Sequence, residues 1–553
     1  MIKEVLLCLC LTLAPVWTTP VQTDSGPVVV LKHGSVRGQY VKVKGSEKVV
    51  EQYLGIPFAQ PPVGPLRLAA PAPVQGWEGI RNATQHSPMC LQNPDIEPLV
   101  AKALKLNYTT TGVSEDCLYL DVYTPSQRLE SEKYPVMVWI HGGALVFSGA
   151  SVYDGSPLAA YENVVVVVIQ YRLGMLGYFS TGDKFAQGNW GFLDQIAALQ
   201  WVQQNIEGFG GDAQSVTIAG ESAGGISSSF LTLSPMTKGL FHRAIFQSGV
   251  ATMATYSIKD PLMFAQVVAN VTECDFSSSE VLVKCIKELT EEQIINVTKK
   301  KHIFPGAAVD GVFLKAPAEE LIKSKDFHKV PILVGTTNHE FGWVLAQPLV
   351  SQEWVKGMDT KSVKAILDMV NKAGTSGVNE LIVEEYLKDA KTPEDIRDAF
   401  TKMMGDLFIV IPSITVASHH RDAGVPVYMY EFQHRPSIYK DTRPSFVKSD
   451  HADDVGFVFG ACFWDGHVRI EESTGALSEE ENQLCRTVMR YWANFIRTGS
   501  PNGPSLVNWP VYDQSNKYMN LGLQQTEGQG LKMDKLLFFS VELPKKLAAL
   551  HTA

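Results

Sequence analysis

The stretch Gly220-Glu221-Ser222-Ala223-Gly224-Gly225, directly after the short strand expected over Ser215 to Ala219, constrains this chain more than any other feature. A serine flanked by glycines, leaving a strand and entering a helix expected to continue over Ser227 to Leu233, requires a main chain that turns sharply with small residues on both sides. Such a turn lifts the serine oxygen out of the sheet, as a nucleophile requires. The same spacing also occurs in ordinary glycine-rich loops, so its meaning depends on what surrounds it.

The surroundings read as alternating strand and helix. Val136 to Ile140 and Val164 to Ile169 are unbroken apolar runs, the pattern of strands covered on both faces, and Phe192 to Asn205 has helical spacing. Ala244 to Gln247, Val330 to Gly335 and Val425 to Phe432 supply further strands. The fold class is therefore α/β, a large central and mostly parallel sheet between helical layers. Val28 to Val50 alternates turn residues with β-branched stretches, and the proline-rich Ile56 to Pro73 segment reads as irregular coil. Leu484 to Phe495 reads as a late amphipathic helix. A chain of 553 residues has length for several domains of about 150 residues each. No repeat or low-complexity linker divides it, so one domain is expected over 21-553, with a helical, lid-like insertion at about 351-420.

Residues 1-20 have the order of a secretory signal, with Lys3 ahead of the apolar run Val5 to Leu13 and Pro15 closing it. The run is too short to span a bilayer, and no transmembrane segment is expected in the mature chain. Removing Cys8 and Cys10 with this segment leaves six cysteines, an even set that favours bridges in an oxidising lumen. Proximity nominates Cys90 with Cys117 and Cys274 with Cys285, while Cys462 and Cys485 either pair or remain buried thiols. Asn82, Asn107, Asn270 and Asn296 stand in Asn-x-Thr triplets, glycan acceptors if exposed. An apolar fraction of 45% excludes a disordered scaffold, and a formal charge of -10 opposes nucleic acid as a partner.

A serine hydroxyl needs a base, and the base needs a carboxylate to set its tautomer. The order serine, acid, histidine is met by Ser222, Glu340 and His451: Glu340 lies five residues beyond the Val330 to Gly335 strand, and His451 lies in the polar loop after Val425 to Phe432. His339 and His434 are rival bases. Asp450, Asp453 and Asp454 are rival acids, but lie so near His451 in sequence that a contorted loop would be needed. His141-Gly142-Gly143-Ala144 leaves the Val136 to Ile140 strand, and the Gly142 and Gly143 amides, with that of Ala223, can face a developing oxyanion. Leu145, Val146 and Phe147 follow as pocket walls or as ordinary core. Glu221 is expected as a hydrogen-bonded structural carboxylate under the site or as a charge that perturbs the base, and Ser248 as either support beneath His451 or a turn serine. Nothing in this chemistry calls for a metal or an organic cofactor.

Glu115-Asp116-Cys117-Leu118-Tyr119-Leu120-Asp121-Val122, Val138-Trp139-Ile140-His141-Gly142-Gly143, Gly188-Asn189-Trp190-Gly191 and Gly220-Glu221-Ser222-Ala223-Gly224-Gly225 resemble the type-B carboxylesterase and cholinesterase family over nearly the whole mature chain. The likeness is greatest to vertebrate liver and intestinal carboxylesterases, and His141-Gly142-Gly143-Ala144-Leu145 resembles the carboxylesterase 2 branch. The resemblance implies an α/β-hydrolase fold and a serine esterase without cofactor. It implies Ser222 as nucleophile, Glu340 as acid, His451 as base, Gly142, Gly143 and Ala223 as oxyanion donors, and the same two cysteine pairs that proximity nominates. Its substrates would be uncharged small-molecule or lipid esters. A specialised acylglycerol, acylcarnitine or acyl-CoA hydrolase is the alternative, and an adhesion module of the same fold would be expected to lack a triad member. Ala144 stands where the family usually has a third glycine, which implies a trimmed acyl-side cavity. Related lumenal enzymes end in His-x-Glu-Leu whereas this sequence ends His551-Thr552-Ala553, so endoplasmic reticulum lumen and secretion both stand as destinations.

Overall fold

The computed structural model describes residues 26-552 apart from 109, 128-131, 301-304, 372-376 and 472-476; the expected signal segment 1-20 lies outside the described residues. Eleven strands form the main sheet. In chain order they are β1 (Gln39–Lys42), β2 (Val49–Pro57), β3 (Tyr119–Pro125), β4 (Tyr134–Ile140), β5 (Val165–Ile169), β6 (Gly211–Glu221), β7 (Arg243–Gln247), β8 (Ile332–Thr337), β9 (Val427–Phe432), β10 (Lys517–Leu521) and β11 (Thr526–Gln529). Across the sheet they run β11-β10-β9-β8-β7-β6-β4-β5-β3-β2-β1. The seven from β5 to β10 are parallel, and antiparallel strands close both edges.

The helices that position the site are α1 (Ser156–Glu162), α2 (Trp190–Asn205), α3 (Ala223–Leu233), α4 (Thr360–Val370), α5 (Val378–Leu387), α6 (Pro393–Gly405), α7 (Ile411–Asp422) and α8 (Glu479–Thr498). Side chains alternate across a strand, so Val136, Val138 and Ile140 of β4 pack with α2, α3 and α7 on one face. Met137 and Trp139 pack with α1 and α8 on the other. An apolar residue at every position of β4 and β5 is the direct consequence of these two covered faces.

The expected insertion at about 351-420 divides physically near residue 410. Val363, Leu367, Ile382, Phe400 and Met403 form a separate apolar cluster, completed from outside the segment by Phe341, Phe538 and Leu543. Ile411, Ile414, Val416 and Ala417 instead face the sheet, so α7 is a sheet-covering helix and not part of a lid. Sequence periodicity could not separate the two because α6, a π-turn at Asp406–Val410 and α7 run on without a break. The helical run Pro393–Asp422 is long and apolar enough to cross a membrane by length and composition, with 67% of its apolar window buried inside the protein. That burial accounts for its apolar composition.

Three disulfides join Cys90 to Cys117, Cys274 to Cys285 and Cys462 to Cys485, which settles the pair that sequence left open. Asn82, Asn107, Asn270 and Asn296 are all exposed.

Helix α8 begins with a capping box in which Ser478 and Glu481 satisfy one another's backbone amides. Glu481 also accepts from the Ser437 amide and hydroxyl at 2.7 and 2.6 Å and lies 2.9 Å from His434 Nε2. It therefore ties the exit of β9 to α8. Burial opposes its charge, but the His434, Ser437 and Ser478 hydrogen bonds outweigh burial and hold its pKa at about 2. A carboxylate depressed in this way stabilises the fold above its unfolded pKa of 4.5 and loses that contribution as pH falls toward 2. Glu481→Gln is expected to lower unfolding free energy by about 2 kcal/mol at neutral pH. Denaturant titrations should show the two proteins converging between pH 4.5 and pH 2. A difference independent of pH would show that the carboxylate charge is not the source.

Candidate active site

The parallel strands β4, β6, β7 and β8 end at one edge, and the loops leaving them meet there. After β6 the chain turns at Ser222, whose φ of 55° and ψ of -122° lie in a region that a side chain disfavours, and α3 begins at Ala223. The sharp turn survives because its flanking residues are glycines. A methyl on Gly224 would strike the Ile140 carbonyl, and one on Gly220 would fall 2.6 Å from that same oxygen. Holding a non-glycine residue there costs about 1–3 kcal/mol, which the surrounding packing must offset.

The loop after β4 is equally constrained. Gly143, Ala144 and Leu145 follow one another at φ of 94°, 54° and 61°, and the Gly143 carbonyl closes the loop by accepting from the amides of Val146 and Phe147 at 2.9 and 3.1 Å. A Cβ at Gly143 would collide with the Phe147 carbonyl. Leu145 is fully buried in the sheet core, so it anchors the loop from behind; Val146 and Phe147 remain partly exposed. His141 is no rival base. Burial lowers its pKa to about 4, its Nδ1 lies 2.9 Å from the Gly142 carbonyl, and its ring stacks on Tyr171.

The Gly142, Gly143 and Ala144 amides meet no backbone acceptor among the described residues. Ala223, as the first residue of α3, is also without an intrahelical partner. The amides open to an oxyanion are therefore those of the Gly142-Gly143-Ala144 loop and that of Ala223.

His451 and Glu340 meet as the sequence predicts, with Nδ1 2.6 Å from Oε2. The other Glu340 oxygen accepts from the Thr337 amide at 2.7 Å and from the Ser248 hydroxyl at 2.6 Å. Ser248 thus supports the acid rather than lying beneath the histidine. Its own backbone is left-handed, with φ of 51°. The rival acids hold the histidine loop. Asp450 accepts from the Trp343 and Val344 amides at 2.9 and 2.8 Å, binding this loop to the one that carries Glu340. Asp453 takes both bonds from Arg443 at 2.8 Å, and Asp454 accepts from Tyr430 at 2.6 Å and Gln247 at 3.0 Å. His339 accepts from the Lys448 amide at 3.1 Å and reaches Thr401 at 2.8 Å, while His434 is engaged by Glu481. Neither is available as a base.

The geometry bears on the electrostatic one of the two roles expected of Glu221. Its Oε1 lies 3.0 Å from His451 Nε2, yet neither atom makes a hydrogen bond, so the Ser222 hydroxyl is not bonded to the base in this geometry. Burial raises the Glu221 pKa, with Asp454 and Glu340 adding to it and His451 opposing. Burial lowers that of His451, but Glu221, Glu340 and Asp450 more than reverse this, and its pKa rises. The two titrations are linked, because the charge of each group favours the opposite charge on the other. Among the described residues no group of His, Cys, Asp and Glu has the arrangement of a metal site.

The model of the carboxylesterase family matches residues 25-539. The chain is 46% identical to human cocaine esterase, over 96% of this chain and 94% of that protein. It is 46% identical to the medium-chain fatty acyl-CoA hydrolase precursor of Anas platyrhynchos, over 94% and 92%, and 44% identical to the acylcarnitine hydrolase of Mus musculus, over 96% and 93%.

The Glu221 charge favours the imidazolium, so Glu221→Gln is expected to lower the His451 pKa by about one unit. Imidazole resonances followed through a pH titration measure it directly. An unchanged or raised pKa would mean that Glu221 is neutral whenever His451 titrates.

Proposed function

Because the chain belongs to the carboxylesterase family, we propose that it hydrolyses uncharged carboxylic esters, both lipid and foreign, through an acyl-enzyme on Ser222. His451 accepts the Ser222 proton at Nε2 while Nδ1–H stays on Glu340, and Ser222 Oγ attacks the ester carbonyl. The carbonyl oxygen gains its negative charge against the amides of the Gly142-Gly143-Ala144 loop and of Ala223, the last at the positive end of α3. His451 then gives its proton to the departing alcohol and takes one from the water that cleaves the acyl-enzyme, leaving acid and free serine. The observation that carries this reading is the Glu340 carboxylate, held by the Thr337 amide and Ser248 hydroxyl and meeting His451 at 2.6 Å. An acid held by three partners can fix one imidazole tautomer. The serine hydroxyl must come within reach of Nε2 for proton transfer, an alignment that substrate-free sites commonly lack.

The relatives named for acyl-CoA and acylcarnitine keep a specialised hydrolase as the second reading. The buried carboxylates Glu221, Glu340, Asp450 and Asp454 around the base favour an alcohol portion without negative charge near the reacting carbon, which supports uncharged esters. The three disulfides and four exposed Asn-x-Thr sites fit a chain exported to the endoplasmic reticulum lumen or beyond, with residues 1-20 removed.

Ser222→Ala is expected to abolish hydrolysis of p-nitrophenyl esters and of monoacylglycerol, together with labelling by a fluorophosphonate. Near-parental turnover in that variant would reject the site. Glu340→Gln, which keeps the shape but loses the charge, should reduce kcat by about 10^4-fold with the fold intact. Steady-state kinetics and circular dichroism on the same sample check both parts. Gly143→Ala should lose activity through loop distortion, whereas Ala144→Gly should keep it and accept bulkier acyl groups, read from relative kcat/KM across an acyl series.

A further inference from the structure

A cavity of about 530 Å3 lies away from Ser222, between the β1–β2 hairpin, residues 84-86, the start of α1 and residues 463-467. None of the triad or the oxyanion loop lines it. Its volume falls in the range of small-molecule sites. Part of the lining is apolar, from Val41, Val43, Leu54 and Phe463. The remainder is polar and incompletely bonded. His86, with its side chain 10% exposed, uses Nδ1 on Asp121 at 2.8 Å and leaves a buried Nε2 without a partner. The buried hydroxyls of Thr111 and Ser156, which also line the cavity, have none either. Asp154 is 3% exposed and spends one oxygen on the Ser156 amide at 2.9 Å.

Buried polar atoms without partners are rare and costly, and several around one hollow point to a ligand that completes them. An apolar ligand would leave them unpaired. The charged lining, Asp154 and Asp465 against Lys42, does not favour an anion, and the described residues contain no metal cluster. A sugar ring satisfies both parts of the lining, because each hydroxyl donates and accepts while the C–H face is apolar. We propose that this cavity binds a neutral pyranoside.

Two sources offer that chemistry. One is a free saccharide. The other is an N-linked glycan on Asn82, which is exposed and accepts from the Thr84 hydroxyl at 3.3 Å; Thr84 itself lines the cavity.

The test uses the full secreted protein and its Asn82→Gln variant, titrated with methyl β-D-glucopyranoside and N,N′-diacetylchitobiose and followed by saturation-transfer NMR. Saturable binding is expected in Asn82→Gln. Adding Gln85→Trp, which plugs the exposed rim, or Ser156→Ala, which removes an unpaired hydroxyl, should weaken it about tenfold. Ester hydrolysis at parental rate certifies that each variant is folded. Binding by both the parent and Asn82→Gln identifies a free saccharide as the occupant, and binding by Asn82→Gln alone identifies the chain's own glycan. No saturable binding in Asn82→Gln, or binding that both cavity variants leave undiminished, overturns the proposal. Ester turnover is unaffected by either result, so this outcome is separable from the assignment of Ser222.

Discussion

The contact between the Ser222 elbow and the end of β4 is the constraint from which the site follows. The Ile140 carbonyl sits against Gly224, and the Ser222 carbonyl sits against Gly249, so closely that neither glycine position has room for a methyl. These main-chain contacts bring the ends of β4, β6 and β7 to one point. The serine, the oxyanion loop and the Ser248 turn are thus positioned by backbone packing before any side chain contributes. Ser222, Ser248, Ala144 and Leu145 all have positive φ, and strain shared among neighbouring turns is tolerable only where a rigid sheet over-determines each of them.

On that frame, the acid and base are positioned by hydrogen bonds between loops. Asn338 accepts from the Ser449 amide at 3.1 Å, His339 from Lys448, and Asp450 from Trp343 and Val344. Each ties the loop after β9 to the loop after β8. The carboxylates that crowd His451 in sequence are therefore spent on holding its loop, with Arg443 balancing Asp453. This leaves Glu340, from the neighbouring strand, to set the imidazole. A carboxylate on a separate rigid strand can approach Nδ1 end-on; one two residues away cannot without distorting the loop that carries it.

Burial gives the same groups their electrostatic character. With Glu221, Glu340 and Asp454 all buried around His451, each added negative charge makes ionisation of the next harder and imidazolium formation easier. The protonation state of the site belongs to the cluster rather than to one residue. Behind the oxyanion loop, the Tyr153 carbonyl accepts from the Tyr123 hydroxyl at 3.2 Å and lies 3.1 Å from His467 Nε2.

Sequence by itself was enough for the elements that local pattern controls. The unbroken valines of β5 required two covered faces, Gly220 and Gly224 required a sharp turn around Ser222, and the spacing after β8 and β9 singled out Glu340 and His451. Tertiary structure alone decided that the Ile140 carbonyl meets Gly224 and the Ser222 carbonyl meets Gly249. It alone decided that Ser248 serves Glu340, that α7 covers the sheet while α6 does not, and that Cys462 reaches Cys485. Each of these depends on which surfaces come together in space. Periodicity and spacing report only what a segment requires of its surroundings, not which distant segment supplies it.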